Sequence, residues 1–230
     1  MTKKDTIAIL ITVAGICFAA AQDSPSPSPT PEQPPSPSPS VSAARSVQLR
    51  FVPPPMEGTI SLGIFDSNDK LVRVLHRQSN IDNFTIDENS LSTTWDGKND
   101  AGEDSPVGKY RARGYMVAHF KVDNLGAAAV PTEASDHALI KLVTNPLVSD
   151  TRSVLDVAIG LDDKGSFLKT TDGLPLATIT ESPNLSRVVI EKDGDKAANI
   201  WQEDGTGVEH LHASNIDKMM AFDCGFFDLK

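Results

Sequence analysis

The sequence predicts an all-β protein, and three observations carry that prediction. Short stretches with an apolar residue at every second position recur from about residue 46 onwards, and this is the period of a half-buried strand. Turn signals such as "LDDKG", "TDG", "KDGD" and "EDGTG" separate them. No stretch carries a convincing helical stripe, and the nearest candidate, "EASDHALIKLVT", mixes the two periods and is predicted to be a strand.

Residues 1–21 are predicted to be a cleaved secretory signal. Two lysines precede an apolar run that ends at Phe18, and alanines supply the small residues before Gln22. The run is shorter than the roughly 20 apolar residues of a spanning helix. We therefore expect a secreted or cell-envelope protein, in the periplasm or at the cell surface, without a membrane span after signal removal. An uncleaved signal, or a lipid on Cys17 despite Ile16 before it, is the alternative.

Residues 22–45 are predicted to be a Ser/Pro-rich linker. The stretch "DSPSPSPTPEQPPSPSPSVSAARS" alternates serine and proline so regularly that neither helical nor ladder hydrogen bonds can form. An extended, polyproline-like spacer is therefore expected. In an exported protein it holds the following domain away from a membrane or a partner.

Charge and cysteine content exclude several classes of function. The formal net charge of -10 argues against binding to nucleic acid or anionic lipid, which needs clustered Lys and Arg. Cys17 leaves with the signal, so Cys224 is the single remaining thiol and no internal disulfide is expected. No basic residue flanks Cys224, which favours a small buried hydrophobe over a reactive thiol. The sequence also lacks G-x-G-x-x-G, Walker and G-x-S-x-G patterns.

The remainder is predicted to form two β domains, 46–122 and 123–230. In the first, "TISLGIF" and "LVRVLH" flank the turn "DSNDK" and predict a hairpin, with "SVQLRFV", "NFTID", "SLSTTW" and "KYRARGYMVAHF" as further strands. In the second, residues 154–180 and 187–213 resemble two four-stranded units of the kind found in propeller blades. Two blades cannot close a ring, so this domain is either a small sandwich or barrel, or an incomplete propeller.

The stretch "TTWDGKNDAGEDSPVGKY", from Thr93 to Tyr110, is predicted to be the corner of a β-sandwich. Trp95 ends one strand and can fill the middle of a small sandwich, while the three glycines permit the positive φ angles of a tight connection. Tyr110 starts the next strand, with its hydroxyl available to tie down the loop as in a tyrosine corner.

Calcium binding is the alternative interpretation of this acidic stretch. An EF-hand loop counted from Asp96 places Lys98, a cation, at the third position, where an oxygen ligand is required. A looser site made by Asp96, Asp100 and Asp104 stays open, because calcium accepts irregular oxygen cages.

The same residues carry a resemblance to a known family. "ISLGIFDSNDKLVRVL" followed by "WDGKNDAGEDSPVGKY" resembles the FlgD-type Ig-like module of flagellar hook-capping proteins and other exported bacterial proteins. The resemblance covers roughly residues 50–117, and its most specific positions are Trp95, Asp96, Gly97, Asp100, Gly102, Val107, Gly108 and Tyr110. It departs from the family at Asn68-Asp69, where a turn glycine is usual, and before Trp95, where a glycine is missing. It implies an Ig-like β-sandwich, followed here by a second antiparallel β domain of blade-like hairpins.

No catalytic, cofactor-binding or metal-binding residue is predicted. His210 and His212 in "EHLHA" share one face of a strand, but zinc needs a third ligand that no spacing supplies. His76, His119 and His137 are isolated.

We expect a non-catalytic structural, adhesion or docking module, with an unidentified protein or cell-surface polysaccharide as its partner. The alternative is a carbohydrate-binding module or an accessory part of an extracellular hydrolase. That alternative requires Trp201 or Tyr115 to be exposed beside polar groups, whereas alternation with Ile200 and Gln202 favours Trp201 in a core.

Overall fold

A computed structural model describes residues 45–147 and 152–230 of the chain. In these residues the strands form four antiparallel sheets. The predicted signal and nearly all of the predicted linker lie outside these residues. The described residues belong to one compact unit. They contain no α-helix, and in these two ranges no helix could therefore span a bilayer. The all-β prediction is confirmed.

In chain order the strands are β1 (Val47–Phe51), β2 (Thr59–Phe65), β3 (Leu71–Ser79), β4 (Thr85–Asp87), β5 (Ser90–Trp95), β6 (Gly108–Val117), β7 (Lys121–Ala127), β8 (His137–Lys141), β9 (Val154–Asp162), β10 (Gly165–Thr170), β11 (Pro175–Thr180), β12 (Arg187–Asp193), β13 (Ala197–Glu203), β14 (Val208–Ser214) and β15 (Met219–Leu229). A single 3-10 turn, Ile81–Asn83, precedes β4. The predicted β2–β3 hairpin is present, since the two strands pair antiparallel.

Two of the sheets face each other and form what we call the first sandwich. One has the strand order β1-β5-β4 and the other has the order β15-β6-β2-β3. Their facing side chains make one core, in which the rings of Phe51 and Phe222 stack with centroids 4.4 Å apart. The buried members of this first core are Leu49, Phe51, Ile60, Leu62, Ile64, Phe84, Leu91, Trp95, Tyr110, Ala112, Met116, Phe222 and Leu229.

The other two sheets, β11-β10-β9-β8 and β12-β13-β14-β7, form the second sandwich around a second core. The segments 154–180 and 187–213 supply three consecutive strands to each sheet, one fewer than the four-stranded units that the sequence predicts. The fourth strand of each sheet comes from earlier in the chain, as β8 and β7. The sheets share a core face to face, whereas propeller blades would lie side by side. A bridge between Ser135 and Ile190 joins their edges.

The last strand lies in the first sandwich, although the predicted boundary after residue 122 assigns it to the second domain. β15 pairs with β6 from Met219 opposite Val117 to Leu229 opposite Gly108. The stretches "KMMAFD" and "GFFDLK", predicted as separate strands, are one strand interrupted by a bulge at Cys224, with Gly225 at φ 82°. Residues 118–218 are therefore inserted between two neighbouring strands.

The sheet that contains β2 and β6 is covered on both faces. One face supplies the first core, while Phe65, Tyr115 and Val117 on the other face belong to the second core. Small residues allow this close packing, since Ser61 Oγ lies 3.5 Å from the Leu176 carbonyl oxygen. The two sandwiches thus share this sheet, in the sense that it contributes one face to each of the two cores.

Strand β7 is absent from the sequence prediction, which ended the preceding strand at residue 120. Most of β7 is exposed, and its register with β14 shifts beside Leu125. An exposed edge strand with a register shift buries no regular alternate face, so it leaves no period-two signal.

Candidate functional site

Trp95 fills the first core, as the corner prediction requires. Its side chain is 0% exposed, and its ring packs against Tyr110 at 5.0 Å and Phe227 at 5.9 Å between centroids. The indole Nε1 donates a hydrogen bond to the Lys98 carbonyl oxygen at 2.8 Å. The polar edge of the ring therefore fixes the start of the acidic loop.

Tyr110 closes the other end of that loop. Its hydroxyl donates to the Pro106 carbonyl oxygen at 2.7 Å, in the manner of a tyrosine corner. Burial raises the pKa of the Tyr110 phenol, so the donor proton stays in place at neutral pH. Gly97 adopts φ 75°, and a Cβ there would lie 3.3 Å from the Arg45 carbonyl oxygen. The tryptophan, tyrosine and glycine thus shape one connection.

The three aspartates considered for calcium are engaged by neighbouring groups. Asp96 accepts the Lys98 amide at 3.1 Å, and Asp100 accepts the Val74 amide at 2.9 Å. The Lys98 ammonium donates to Asp104 at 3.0 Å, and this hydrogen bond lowers the pKa of the Asp104 carboxyl. No group of three metal-binding side chains is arranged around a common point within the described part of the chain.

His210 and His212 lie on the same face of β14, as predicted, but they do not converge on a common ligand. The His210 ring stacks on Trp201 at 4.7 Å, and its Nε2 lies 3.0 Å from Asn199 Oδ1. The His212 Nε2 lies 3.2 Å from Asp193 Oδ2. Each imidazole thus contacts its own polar partner, His210 that on β13 and His212 that at the end of β12.

The two aromatic residues that the carbohydrate alternative needs exposed are both buried. Trp201 is 5% exposed and Tyr115 is 6% exposed. Trp201 lies outside both core clusters, on the face of β13 opposite Ile200. The burial of Trp201 is as predicted. Its ring packs against His210, however, and does not belong to either core. Neither ring offers a face to a sugar.

Cys224 sits at the bulge of β15 and packs against the first core. Burial raises the pKa of its thiol to about 12, with the nearby Asp223 adding to the effect. The thiol therefore stays protonated at neutral pH, and Cys224, although only partly buried, packs with apolar side chains as a small hydrophobe would.

A polar cleft, missed by the sequence analysis, lies where the two sandwiches meet. We call it the junction cleft; its volume is about 540 Å³. Its walls are the end of β3, the β9–β10 turn and the end of β11, and its lining residues are Arg77, Gln78, Asp162, Asp163, Lys164, Gly165, Ser166, Thr178, Thr180, Glu181 and Pro183. These segments are far apart in the sequence and match no motif, so only the fold brings them together.

His76 on β3 is expected to make stability depend on pH. Its Nε2 lies 2.8 Å from Thr93 Oγ1, and its ring packs 4.2 Å from that of Phe84. Burial lowers the pKa of His76 below its ordinary 6.5. As the pH falls below 6.5, the His76 ring is therefore protonated at a higher pH in the unfolded chain than in the folded protein. The His76 contribution to the free energy of unfolding is complete above pH 6.5 and decreases below it.

Urea unfolding at pH 7.5 and pH 5.5 tests this expectation in the wild type and in His76→Gln. The variant lacks the titrating ring, so its free energy of unfolding should decrease less between the two pH values. Other titrating groups are common to both proteins and cancel in the comparison. Equal pH dependence in the two proteins would contradict the role given to His76.

No protein-family model, no curated protein and no solved structure matches this chain.

Proposed function

We propose that this chain is a secreted or cell-envelope, non-catalytic structural and docking module built on a FlgD-type Ig-like β-sandwich. The observation that carries the proposal is the structural use of the segment from Trp95 to Tyr110. Its tryptophan is fully buried, its tyrosine hydroxyl is tied to the loop, and its aspartates are bonded to nearby amides and to Lys98. The most distinctive residues of the sequence thus build the scaffold.

The strand arrangement supports the Ig-like assignment. A three-stranded sheet, β1-β5-β4, faces a four-stranded sheet, β15-β6-β2-β3, and both are antiparallel. Seven strands divided in this way, around a buried tryptophan and a tyrosine corner, are typical of Ig-like sandwiches. The Ig-like domain then comprises residues 46–117 together with β15, and the second β-rich domain occupies residues 118–218 between them.

The shared sheet suits a spacer or docking role, because it fixes the two sandwiches relative to each other. The Arg77 guanidinium donates to Asp162 at 2.7 Å, and that of Arg113 donates to Asp172 at 2.8 Å, each across the junction. Hydrophobic contacts of Phe65 and Tyr115 in the second core reinforce these ion pairs. A rigid body of this kind holds its two ends at a constant separation.

Export, processing and attachment test the proposal together. The full chain is expressed in a bacterial host, and each cell fraction is analysed by immunoblotting and intact mass. We expect cleavage between Ala21 and Gln22, recovery outside the cytoplasm, and cosedimentation of the purified protein with insoluble cell-envelope material. Purified protein should give no turnover on glycosidase and esterase substrates. Unprocessed cytoplasmic protein, or turnover that His212→Ala abolishes, would contradict the proposal.

A further inference from the structure

We propose that the junction cleft binds a neutral saccharide. This inference goes beyond the scaffold role and does not depend on it, because it rests on the lining of the cleft alone. Neither Trp201 nor Tyr115, the two buried aromatic residues considered above, lines this cleft.

The backbone at Gln78 provides the first argument. Among the described residues, the non-glycine positions with positive φ are Asp69, Gln78, Asn184 and Asn215. Asp and Asn adopt this conformation more readily than other residues with a side chain, so the φ of 45° at Gln78 is the unusual one. Strain of this kind concentrates at functional sites, where the surrounding structure enforces it. Gln78 lines the junction cleft.

A β-bulge explains how Gln78 and its neighbour reach the cleft together. Ile60 pairs with Ser79 and Leu62 pairs with His76, so β3 carries one extra residue between these pairs. The backbone amide nitrogen of Gln78 donates to Ser61 Oγ at 3.2 Å. The bulge breaks the alternation of β3, and consecutive side chains, Arg77 and Gln78, both line the cleft.

Gln78 and Arg77 present oriented hydrogen-bonding groups. Thr178 Oγ1 donates to Gln78 Oε1 at 2.7 Å, while the Gln78 Nε2 has no protein partner among the described residues. The Arg77 guanidinium lies 4.3 Å over the Phe167 ring, and one of its nitrogens donates to Asp162 Oδ2 at 2.7 Å. Its Nε and Nη2 make no hydrogen bond to the described protein. Planar donors held in this way suit the adjacent hydroxyls of a sugar ring.

Asp162 is also fixed in position. Its Oδ1 accepts the amides of Lys164 and Gly165 at 3.0 and 3.1 Å. The hydrogen bond from Arg77 lowers the pKa of the Asp162 carboxyl, so this group stays an ionised acceptor at neutral pH. Donors and acceptors therefore alternate along this wall of the cleft.

The floor of the cleft is a rigid polar network. Gln202, 2% exposed, accepts Thr180 Oγ1 at 2.8 Å and Ser166 Oγ at 3.3 Å through its Oε1. Its amide nitrogen donates to Glu209 at 2.9 Å. Ser166 Oγ and Thr180 Oγ1 also lie 3.0 Å apart, so these hydrogen bonds join the three side chains beneath the cleft into one network.

The charges of the lining nearly balance, which favours a neutral ligand. Two cationic side chains, Arg77 and Lys164, stand against three carboxylates, Asp162, Asp163 and Glu181. An anionic ligand would meet the carboxylates, and a cationic ligand would compete with Arg77 for Asp162. The lining holds no large apolar side chain for a lipid or an aromatic ligand. Its volume of about 540 Å³ falls within the usual range of small-ligand sites.

The test is titration calorimetry of the full chain with neutral oligomers of glucose, mannose, xylose and N-acetylglucosamine. We expect at least one oligomer to bind with a Kd in the millimolar range or below. Gln78→Gly removes the amide and relieves the positive φ, so affinity should fall at least tenfold while the melting temperature is unchanged or higher. A merely structural Gln78 would leave affinity unchanged.

Asn215→Gly is the matched control, because it places glycine at a positive φ of 65° in a turn outside the cleft lining. Its affinity for the oligomer should equal that of the wild type. The inference is overturned if no neutral oligomer binds, or if Gln78→Gly binds as tightly as Asn215→Gly. Neither of these results bears on export or processing, so the scaffold proposal is tested separately.

Discussion

Replacing Trp95 with alanine is expected to lower the free energy of unfolding by about 3–5 kcal/mol, the usual cost of removing a large buried aromatic side chain. Trp95 is 0% exposed between Tyr110 and Phe227, so the substitution leaves a cavity in the centre of the first core. It also leaves the Lys98 carbonyl oxygen without its indole donor. Urea unfolding at neutral pH measures the loss.

Trp95→Phe separates the two contributions. Phenylalanine fills most of the same space but cannot donate to the Lys98 carbonyl oxygen, so we expect a loss of about 1–2 kcal/mol. A loss below about 1 kcal/mol for Trp95→Ala would contradict the sandwich-corner interpretation, because an indole in an exposed acidic loop contributes little to stability.

Local structure could be predicted from the sequence wherever one face of a strand is buried. Alternation in "TISLGIF" and "LVRVLH" predicts the β2–β3 hairpin, and "HALIK" is β8 as expected. The second face of β2 could not be predicted. Ser61 and Gly63 read as the solvent side of the strand, whereas a Cβ at Gly63 would lie 3.2 Å from Leu174 of the second sandwich.

Long-range pairing could not be predicted, because periodicity carries no information about which strands are neighbours. β6 and β15 pair directly, although residues 118–218 separate them in the chain. The junction cleft has the same origin, since Arg77 and Asp162 meet only after both sandwiches have formed. By contrast, the predicted tie from the Tyr110 hydroxyl to its own loop spans only a few residues, and its acceptor is the Pro106 carbonyl oxygen.

Gly114→Ala is the second substitution with a large expected effect. Gly114 is paired on both sides, with Leu62 on β2 and Phe222 on β15. A Cβ at this position would lie 2.2 Å from the Ser61 carbonyl oxygen and 2.7 Å from Phe222 Cζ. The first obstacle is backbone, which cannot move without disturbing the β2–β6 ladder. We expect the free energy of unfolding to fall by about 3 kcal/mol, the upper end of the usual cost of overpacking.

Gly207→Ala is the control, because a Cβ at Gly207 would have no neighbour within 4 Å and its φ is not positive. Its effect on urea unfolding should stay within about 0.5 kcal/mol. A similarly small effect of Gly114→Ala would mean that Gly114 lies farther from the Ser61 carbonyl oxygen than the packing of β2 and β6 shows. The strands at the centre of the shared sheet would then not be closely packed. The constant separation between the two ends of the protein, which a rigid spacer needs, would no longer follow from that packing.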